Sequence, residues 1–181
     1  MLLEEYIFAG FGGQGIMTIG QFAAYAGMIQ GYDTAWIPSY GPESRGGTAN
    51  CNVVISDDVI GSPHTHSPNG VIVMNAPSFD RFEPEVRKGG VLVVNTNLAT
   101  QSSERSDIKA AYVPCADIAL EVGNEILVSV VALGAFNALK KVVSDENMEQ
   151  AIKWKIPQAR KDLIDLNVRA YYAGKEYLES T

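Results

Sequence analysis

Five residues from its start, the chain carries Tyr6-Ile7-Phe8-Ala9-Gly10-Phe11-Gly12-Gly13-Gln14-Gly15. The first four residues form a short apolar run, which is typical of a strand buried on both faces of a parallel sheet. The glycine turn that follows, residues 10–15, fits the spacing Gly-x-Gly-x-x-Gly and leads into a Gly/Ala/Met-rich helical segment over residues 15–30. A strand, a tight turn and a helix in this order aim the first N–H groups of the helix at whatever lies above the turn. The stretch therefore predicts an α/β fold with a binding loop after its first strand.

Apolar runs of the same kind recur along the first two thirds of the chain. They predict strands at 34–37, 52–55, 71–74, 91–94 and 111–113, with helices at 77–88 and 116–122. This alternation indicates a three-layer αβα sandwich, Rossmann-like, with a mostly parallel sheet. Between the second and third strands, residues 38–47 form a Gly/Pro-rich loop that is too short for a crossover helix. Since parallel neighbours need a longer connection, we expect one antiparallel strand here and a mixed sheet.

From Asn124 onward the pattern of short apolar runs gives way to helical patterns. A long apolar helix is expected over 126–143, with small residues such as Gly134 for close packing. Ser144-Asp145-Glu146 is typical of a helix start, which predicts a helix through Ile156, and an amphipathic helix is expected over 158–179 after Pro157. We expect one domain over 1–181, with an α/β core at about 1–123 and a helical extension at about 124–181.

Composition excludes several classes of protein. The 181 residues include 14 Lys and Arg against 21 Asp and Glu, and the net charge of −7 argues against binding to nucleic acid or to a membrane surface. Two cysteines, Cys51 and Cys115, are too few for a disulfide framework, an iron–sulfur site or a zinc site. No apolar stretch reaches the roughly 18 residues of a membrane span. The N-terminal segment carries two acidic residues, Glu4 and Glu5, where a signal peptide would be basic, so we expect a cytoplasmic protein.

Positive charge is distributed unevenly along the chain. Residues 1–80 contain one basic residue, Arg45, and seven acidic ones. An anion bound by this half of the chain must therefore rely on Arg45, on backbone amides or on helix N-termini.

Arg45 lies in a second candidate loop, the Arg45 segment, which is Ser39-Tyr40-Gly41-Pro42-Glu43-Ser44-Arg45-Gly46-Gly47-Thr48. It follows the second strand, so it shares a sheet edge with the glycine turn if the first two strands are parallel. A guanidinium beside two glycines suits a phosphate or a carboxylate, because the backbone can approach the ligand closely. The alternative is a solvated turn in which Arg45 pairs with Glu43.

The glycine turn itself admits three interpretations. Dinucleotide binding calls for Asp or Glu at the end of the second strand, but that strand ends Trp36-Ile37-Pro38-Ser39, and Asp33 lies at its start. A purely structural turn is the second interpretation. The third is a binding loop for another ligand, in which the Gln14 side chain makes the polar contact.

Other candidate residues are weaker. His64-Thr65-His66 resembles a metal pair without a third ligand nearby, and a surface loop is the simpler interpretation. Asn75 and Asn95 each follow a buried strand, where they either point amides over the sheet edge or cap their own loops. The sequence has no GxxxxGK[ST], GxSxG or HExxH motif. The residues alone thus favour a small α/β ligand-binding or subunit-type domain over a self-contained enzyme.

Several of these segments together resemble one family, the gamma subunits of 2-oxoacid:ferredoxin oxidoreductases. They look most like the 2-oxoglutarate type, although pyruvate-, ketoisovalerate- and indolepyruvate-type enzymes share these motifs. The resemblance covers nearly the whole chain. The segments that carry it are the glycine turn, Pro38-Ser39-Tyr40-Gly41-Pro42-Glu43, Arg45-Gly46-Gly47-Thr48-Ala49, Val53-Val54-Ile55-Ser56, Val73-Met74-Asn75-Ala76-Pro77-Ser78 and Val131-Ala132-Leu133-Gly134-Ala135.

The resemblance implies oxidative decarboxylation of a 2-oxoacid to an acyl-coenzyme A, with electrons passed to ferredoxin. It implies that thiamine diphosphate, magnesium and iron–sulfur clusters belong to alpha and beta partner chains and often a delta chain. The isolated gamma chain then binds no cofactor or metal and carries no catalytic residue. In this family the gamma chain caps the active-site region and helps to bind coenzyme A.

Site residues follow from the same resemblance. Arg45 would meet a phosphate of coenzyme A or the subunit interface, with Gln14 and Tyr40 in support. The residues expected to bind coenzyme A or a partner chain are Gly12, Gly13, Gln14, Gly15, Tyr40, Arg45, Gly46 and Gly47. No role is carried onto His64 or His66. The alternatives are a stand-alone protein that binds NAD(P), FAD or FMN, and an assembly scaffold whose glycine loops only pack against partners.

Overall fold

The structure, a computed structural model, describes residues 1–41 and 47–180. Within these ranges the chain forms six strands and six α-helices. The strands are β1 Leu3–Phe11, β2 Asp33–Tyr40, β3 Thr48–Ser56, β4 Gly70–Val73, β5 Val91–Asn95 and β6 Lys109–Val113. The helices are α1 Ile16–Ile29, α2 Ala76–Phe82, α3 Cys115–Val122, α4 Val128–Lys140, α5 Asp145–Lys155 and α6 Lys161–Glu179, with a 3₁₀ turn at Glu125–Leu127.

The six strands form one mixed sheet in the order β2-β3-β1-β4-β5-β6. β1, β4, β5 and β6 are parallel neighbours, whereas β3 runs antiparallel to both β1 and β2. The prediction of a mixed α/β sheet is confirmed, and β3 is its antiparallel strand. β1 and β2 run in the same direction but lie two strand spacings apart, about 10 Å. The Rossmann-like description is not confirmed, because in that fold parallel strands adjoin where this sheet has β3.

The second strand is longer than the sequence pattern predicted. Pro38, Ser39 and Tyr40, expected in a loop, belong to β2, and Pro38 lies opposite Cys51 of β3. A proline has no N–H to donate, so it is tolerated in an edge strand such as β2. The connection to β3 is correspondingly short, at residues 41–47.

Three predicted helices have different ends. α2 stops at Phe82 instead of continuing to residue 88, because Pro84 cannot donate the next helical hydrogen bond. The helix expected over 126–143 begins as the 3₁₀ turn and ends at Lys140, with Lys141 in the left-handed region at φ +53°. α6 begins at Lys161 instead of residue 158. The predicted start of α5 is confirmed, since Ser144 Oγ accepts a hydrogen bond from Asn147 N at 3.2 Å.

Helices cover both faces of the sheet. On one face, the Phe136 ring of α4 packs edge-on against Tyr6 and Phe8 of β1, with centroid distances of 4.9 and 5.2 Å. Residues of α1, α3, α5 and α6 join the same buried cluster. On the other face, Phe79 and Phe82 of α2 pack in a second cluster with apolar residues of β1, β4 and β5. The C-terminal helices thus share a core with the sheet.

α4 and α6 cross at two glycines. A Cβ atom at Gly134 would overlap the carbonyl oxygen of Tyr171 and lie 2.8 Å from its carbonyl carbon. A Cβ atom at Gly174 would likewise overlap the carbonyl oxygen of Val131 and lie 2.7 Å from its carbonyl carbon. The backbones of the two helices are therefore in direct contact, as the small residues of this segment predicted.

Candidate functional site

The glycine turn and the end of β2 lie at one edge of the sheet. β3 pairs with β1 and β2 so that Phe11 lies opposite Thr48 and Tyr40 opposite Ala49. The N–H of Gly12 donates to the carbonyl oxygen of Gly47 at 2.9 Å. β3 thus brings the glycine turn next to the two described ends of the Arg45 segment.

Two glycines of the turn have backbone conformations that other residues rarely adopt. Gly13 has φ +92° and Gly15 has φ +78°. Nothing lies within 4 Å of a Cβ atom placed at Gly13, so conformation and not crowding requires glycine there. At Gly15 both apply, because a Cβ atom would also overlap the Ser129 hydroxyl of α4.

The Gln14 side chain is engaged within the chain. Its Oε1 accepts a hydrogen bond from Phe11 N at 2.6 Å and another from Asn75 Nδ2 at 3.3 Å. Asn75 in turn caps α2, since its Oδ1 accepts from Ser78 N at 3.0 Å. Asn95 Oδ1 accepts from Asn97 N at 3.4 Å within its own loop, and its Nδ2 donates to the Met74 carbonyl oxygen at 3.2 Å. Both asparagines therefore follow the capping alternative.

A cavity of about 310 Å³ opens above this edge. Its lining consists of Phe11, Gly12, Gly13, Gly15, Ile16, Met17, Thr18, Tyr40 and Ala49. Tyr40 is 68% exposed. α1 begins at this cavity, with Gly15 as its N-cap, no side-chain cap and no acidic residue in its first turn. The positive end of a helix dipole with uncapped N–H groups is a favourable environment for an anion.

The predicted site residues therefore divide into three groups. Gly12, Gly13, Gly15 and Tyr40 line the cavity. Gln14 and Gly47 hold the turn by hydrogen bonds. Arg45 and Gly46 lie outside the described residues.

Over residues 1–41 and 47–180, the structure places no Asp or Glu after β2 where a dinucleotide site would need one. Asp33 lies at the opposite end of β2, where its Oδ2 accepts from Ile60 N at 3.2 Å. Between residues 34 and 41 no Asp or Glu follows the strand. A carboxylate placed to hold a ribose is therefore missing from the described part of this edge.

Metal ligands are not clustered either. Over residues 1–41 and 47–180, no group of three or more His, Cys, Asp or Glu is close enough to hold a metal ion. His64 and His66 are both exposed. Cys51 and Cys115 are free and fully buried, and burial raises the pKa of the Cys51 thiol to about 12 and that of Cys115 further still. Neither thiol is poised as a nucleophile.

A second polar region was not found from the sequence. At the end of α1, Gln30 Nε2 donates to the Val142 carbonyl oxygen at 2.7 Å, and its Oε1 accepts from Ser144 N at 2.6 Å. Nearby, the Tyr171 hydroxyl donates to Asp145 Oδ1 at 2.6 Å and accepts from Asn137 Nδ2 at 2.7 Å. These groups bond to one another and hold the C-terminal helices together. The helix-start signal at Ser144-Asp145 was the one sequence pattern that pointed here.

In the part of the chain that the structure describes, no helix combines the length and the apolar composition needed to cross a membrane.

Fold and site together define a small α/β chain whose sheet edge presents a glycine turn and an uncapped helix start. The family model described as pyruvate ferredoxin/flavodoxin oxidoreductase matches residues 5–177, and the chain belongs to this family. A keto/oxoacid ferredoxin oxidoreductase gamma subunit from Geobacter sulfurreducens PCA has a similar structure, with a TM-score of 0.84 at 31% identity. The similarity covers 98% of this chain and 99% of that one.

Curated relatives differ in length and in the 2-oxoacid that they are named for. The 2-oxoglutarate synthase subunit KorC of Methanocaldococcus jannaschii is 32% identical over 176 residues, which is 96% of this chain and 92% of KorC. The ketoisovalerate oxidoreductase subunit VorA of Methanothermobacter thermautotrophicus is 38% identical over 170 residues, which is 93% of this chain. The chain spans about a third of the length of VorA, 35%.

A larger structure shares the fold. It is the 2-oxoglutarate:ferredoxin oxidoreductase from Magnetococcus marinus with 2-oxoglutarate, coenzyme A and succinyl-CoA bound, at a TM-score of 0.89. The match covers all of this chain and 32% of that one. At 20% identity, this likeness shows the fold alone.

Proposed function

We propose that this chain is the gamma subunit of a multisubunit, coenzyme A-dependent 2-oxoacid:ferredoxin oxidoreductase. The reaction is oxidative decarboxylation of a 2-oxoacid to an acyl-coenzyme A and carbon dioxide, with two electrons passed to ferredoxin. The observation that carries the proposal is the similarity over almost the whole of both chains to KorC and to the Geobacter gamma subunit.

The remaining machinery would belong to partner chains. Two buried cysteines are too few to hold an iron–sulfur cluster, so we assign the clusters to partner chains. The family resemblance assigns thiamine diphosphate and magnesium to partner chains too, which are alpha and beta chains and often a delta chain. We also propose a cytoplasmic location, which the free cysteines support because reduced thiols are usual there.

Within such a complex, we assign part of coenzyme A to the cavity at the glycine turn. Its volume of about 310 Å³ is at the lower end for small-molecule sites, so it would hold one portion of the ligand. The uncapped start of α1 suits the diphosphate. The Arg45 segment and a partner chain would then enclose the rest, which caps the active-site region.

Two 2-oxoacids are candidates for the substrate. Free-standing KorC relatives of matching length support 2-oxoglutarate, which we propose first. The higher identity to VorA supports ketoisovalerate as the second candidate. Parallel assays of the complex with both acids distinguish the two.

Reconstitution tests the function. The purified chain alone is expected to be inactive and to carry no cofactor. Co-expressed with its neighbouring genes, it should enter a complex that reduces a viologen dye only when a 2-oxoacid and coenzyme A are supplied. Full activity of a complex that lacks this chain would overturn the proposal.

A stand-alone nucleotide- or flavin-binding protein is the competing function, favoured by the glycine spacing alone. It predicts a bound chromophore, or a rise in melting temperature of the isolated chain with NAD(P), FAD or FMN. We expect neither, because the ribose-binding acid is missing from the described part of the edge and β3 separates β1 from β2.

A further inference from the structure

We propose that Gln14 and Asn75 are positioning residues, which hold the glycine turn in its binding shape without touching the ligand. The inference rests on the proposed function to the extent that the ligand is the anionic portion of coenzyme A. This positioning role replaces the expectation that the Gln14 side chain makes a polar contact with that ligand.

The first argument is the hydrogen bonding of Gln14. An amide oxygen has two lone pairs, and Gln14 Oε1 uses both, one for Phe11 N at 2.6 Å and one for Asn75 Nδ2 at 3.3 Å. The backbone of Gln14 also donates to the Phe11 carbonyl oxygen at 3.2 Å. Backbone and side chain of one residue thus close the same turn.

The second argument is the burial of Asn75, which is 3% exposed. Its Oδ1 is committed to Ser78 N at the start of α2, so its Nδ2 can only point the other way, towards Gln14. A buried amide is costly to leave unpaired, and this fixes the orientation of Asn75. The start of α2 therefore orients Asn75, and Asn75 orients Gln14.

The third argument is that the turn needs such support. Gly12 is held on the β3 side by its hydrogen bond to Gly47. A Cβ atom at Gly13, by contrast, would meet nothing within 4 Å. Glycines also lose the most conformational freedom when they are ordered. The absence of a side chain at Gly10 makes room for the Gln14 side chain, since a Cβ atom there would lie 2.6 Å from Gln14 Oε1. A turn that is ordered before binding saves the ligand this ordering cost.

Two substitutions of Gln14 separate positioning from contact. Gln14→Glu keeps an oxygen that accepts both hydrogen bonds, whereas Gln14→Met keeps the length and loses the acceptor. In the assembled complex we expect Gln14→Met to raise the apparent KM for coenzyme A about tenfold, with kcat little changed. Gln14→Glu should stay within about threefold of the wild type. If Gln14 instead donated to the anion, Gln14→Glu would be the worse variant because of charge repulsion, and that order would overturn the proposal.

Asn75→Asp tests the second link. Its Oδ1 still caps α2, but the donor to Gln14 is replaced by a carboxylate oxygen. We expect it to raise the apparent KM in the same direction as Gln14→Met. The double variant Gln14→Met/Asn75→Asp should be no worse than Gln14→Met alone, since both single variants lose the hydrogen bond between Asn75 and Gln14. Fully additive losses in KM would show that the two side chains act separately and would contradict the inference.

Amide hydrogen exchange of the isolated full chain gives a readout that does not depend on activity. Exchange at Phe11 should accelerate in Gln14→Met and Asn75→Asp and remain slow in Gln14→Glu. Unchanged exchange in all three variants would overturn the positioning role. A wild-type complex whose activity does not depend on coenzyme A would instead refute the proposed function, and the exchange result would still stand on its own.

Discussion

Arg45 is the one basic residue among the first 80, set against seven acidic ones. Arg45 itself lies outside the described residues, but both ends of its segment are placed. Gly41 N donates to the Thr48 carbonyl oxygen at 2.7 Å, and Tyr40 lines the cavity. Arg45 is also the one Lys or Arg that residues 1–80 offer to neutralise a phosphate.

Replacing Arg45 with Ala is expected to raise the apparent KM for coenzyme A roughly 10- to 150-fold. A charge-assisted hydrogen bond is worth about 1.5–3 kcal/mol, and this range of energies corresponds to that loss of affinity. Steady-state kinetics of the complex with coenzyme A as the varied substrate measure it.

Arg81→Ala is the matched control, since Arg81 lies over the Phe82 ring at the far end of α2, 4.9 Å from the centroid. Its KM should equal that of the wild type. An unchanged KM in Arg45→Ala, together with weaker complex formation, would favour the scaffold interpretation.

At the scale of elements, the close approach of Gly134 of α4 to the Tyr171 carbonyl group of α6 is tested by Gly134→Ala. Alanine favours a helix over glycine by about 1 kcal/mol, so propensity alone predicts stabilisation. The added methyl group would instead overlap a backbone carbonyl of α6, which no side-chain rotation relieves. We expect a net loss of about 1–3 kcal/mol, seen as a fall in melting temperature of roughly 2–12 °C.

Gly61→Ala serves as the control for Gly134→Ala, because nothing lies within 4 Å of a Cβ atom at Gly61. Its stability should remain within about 0.5 kcal/mol of the wild type. Should Gly134→Ala melt at or above the wild-type temperature, the close backbone approach of α4 and α6 would be wrong.

Whether a segment forms a strand or a helix was predictable, because the apolar pattern that indicates it lies within the segment. Where a strand ends depends on the neighbouring strand with which it pairs. Each expected strand formed, but β2 extends to Tyr40 because β3 pairs with it along its whole length. The glycine turn was found from local spacing, and Tyr40 was singled out by the family resemblance. Gln30 was missed because its partner Ser144 lies 114 residues away. Polar contacts of this range leave no pattern in a single sequence.

At the scale of the whole molecule, Asp145 ties three helices together. It forms an ion pair with Lys175 of α6 and accepts from Tyr171, which also bonds to Asn137 of α4. Burial alone would raise the pKa of Asp145, but the hydrogen bonds from Lys175 and Tyr171 outweigh it and lower that pKa below its ordinary value.

Asp145→Asn should therefore destabilise the chain in a pH-dependent way. At pH 7 we expect a loss of about 1.5–3 kcal/mol, or roughly 3–12 °C in melting temperature. A lowered folded-state pKa stabilises the fold above the unfolded value of about 3.9, and this contribution disappears as the pH falls through the folded pKa. Thermal melts between pH 7 and pH 3 should show the gap between variant and wild type closing below about pH 4.

Glu146→Gln controls for the loss of one charge at the same end of α5. Glu146 is exposed, so its removal should leave a much smaller gap. A gap for Asp145→Asn that stays constant down to pH 3 would contradict the role of the Asp145 carboxylate.

The edge-on packing of Phe136 on Tyr6 and Phe8 has a consequence during synthesis. The covering ring lies 130 positions after Tyr6 in the chain, and ribosomes add about 5–20 residues per second. The aromatic face of β1 therefore lacks the Phe136 ring for roughly 6–26 s after Tyr6 is added. This holds even after β3 and β4, the neighbours of β1 in the sheet, have been synthesised. A nascent chain that is stalled before residue 136 presents this face to chaperones, or to other unfinished copies.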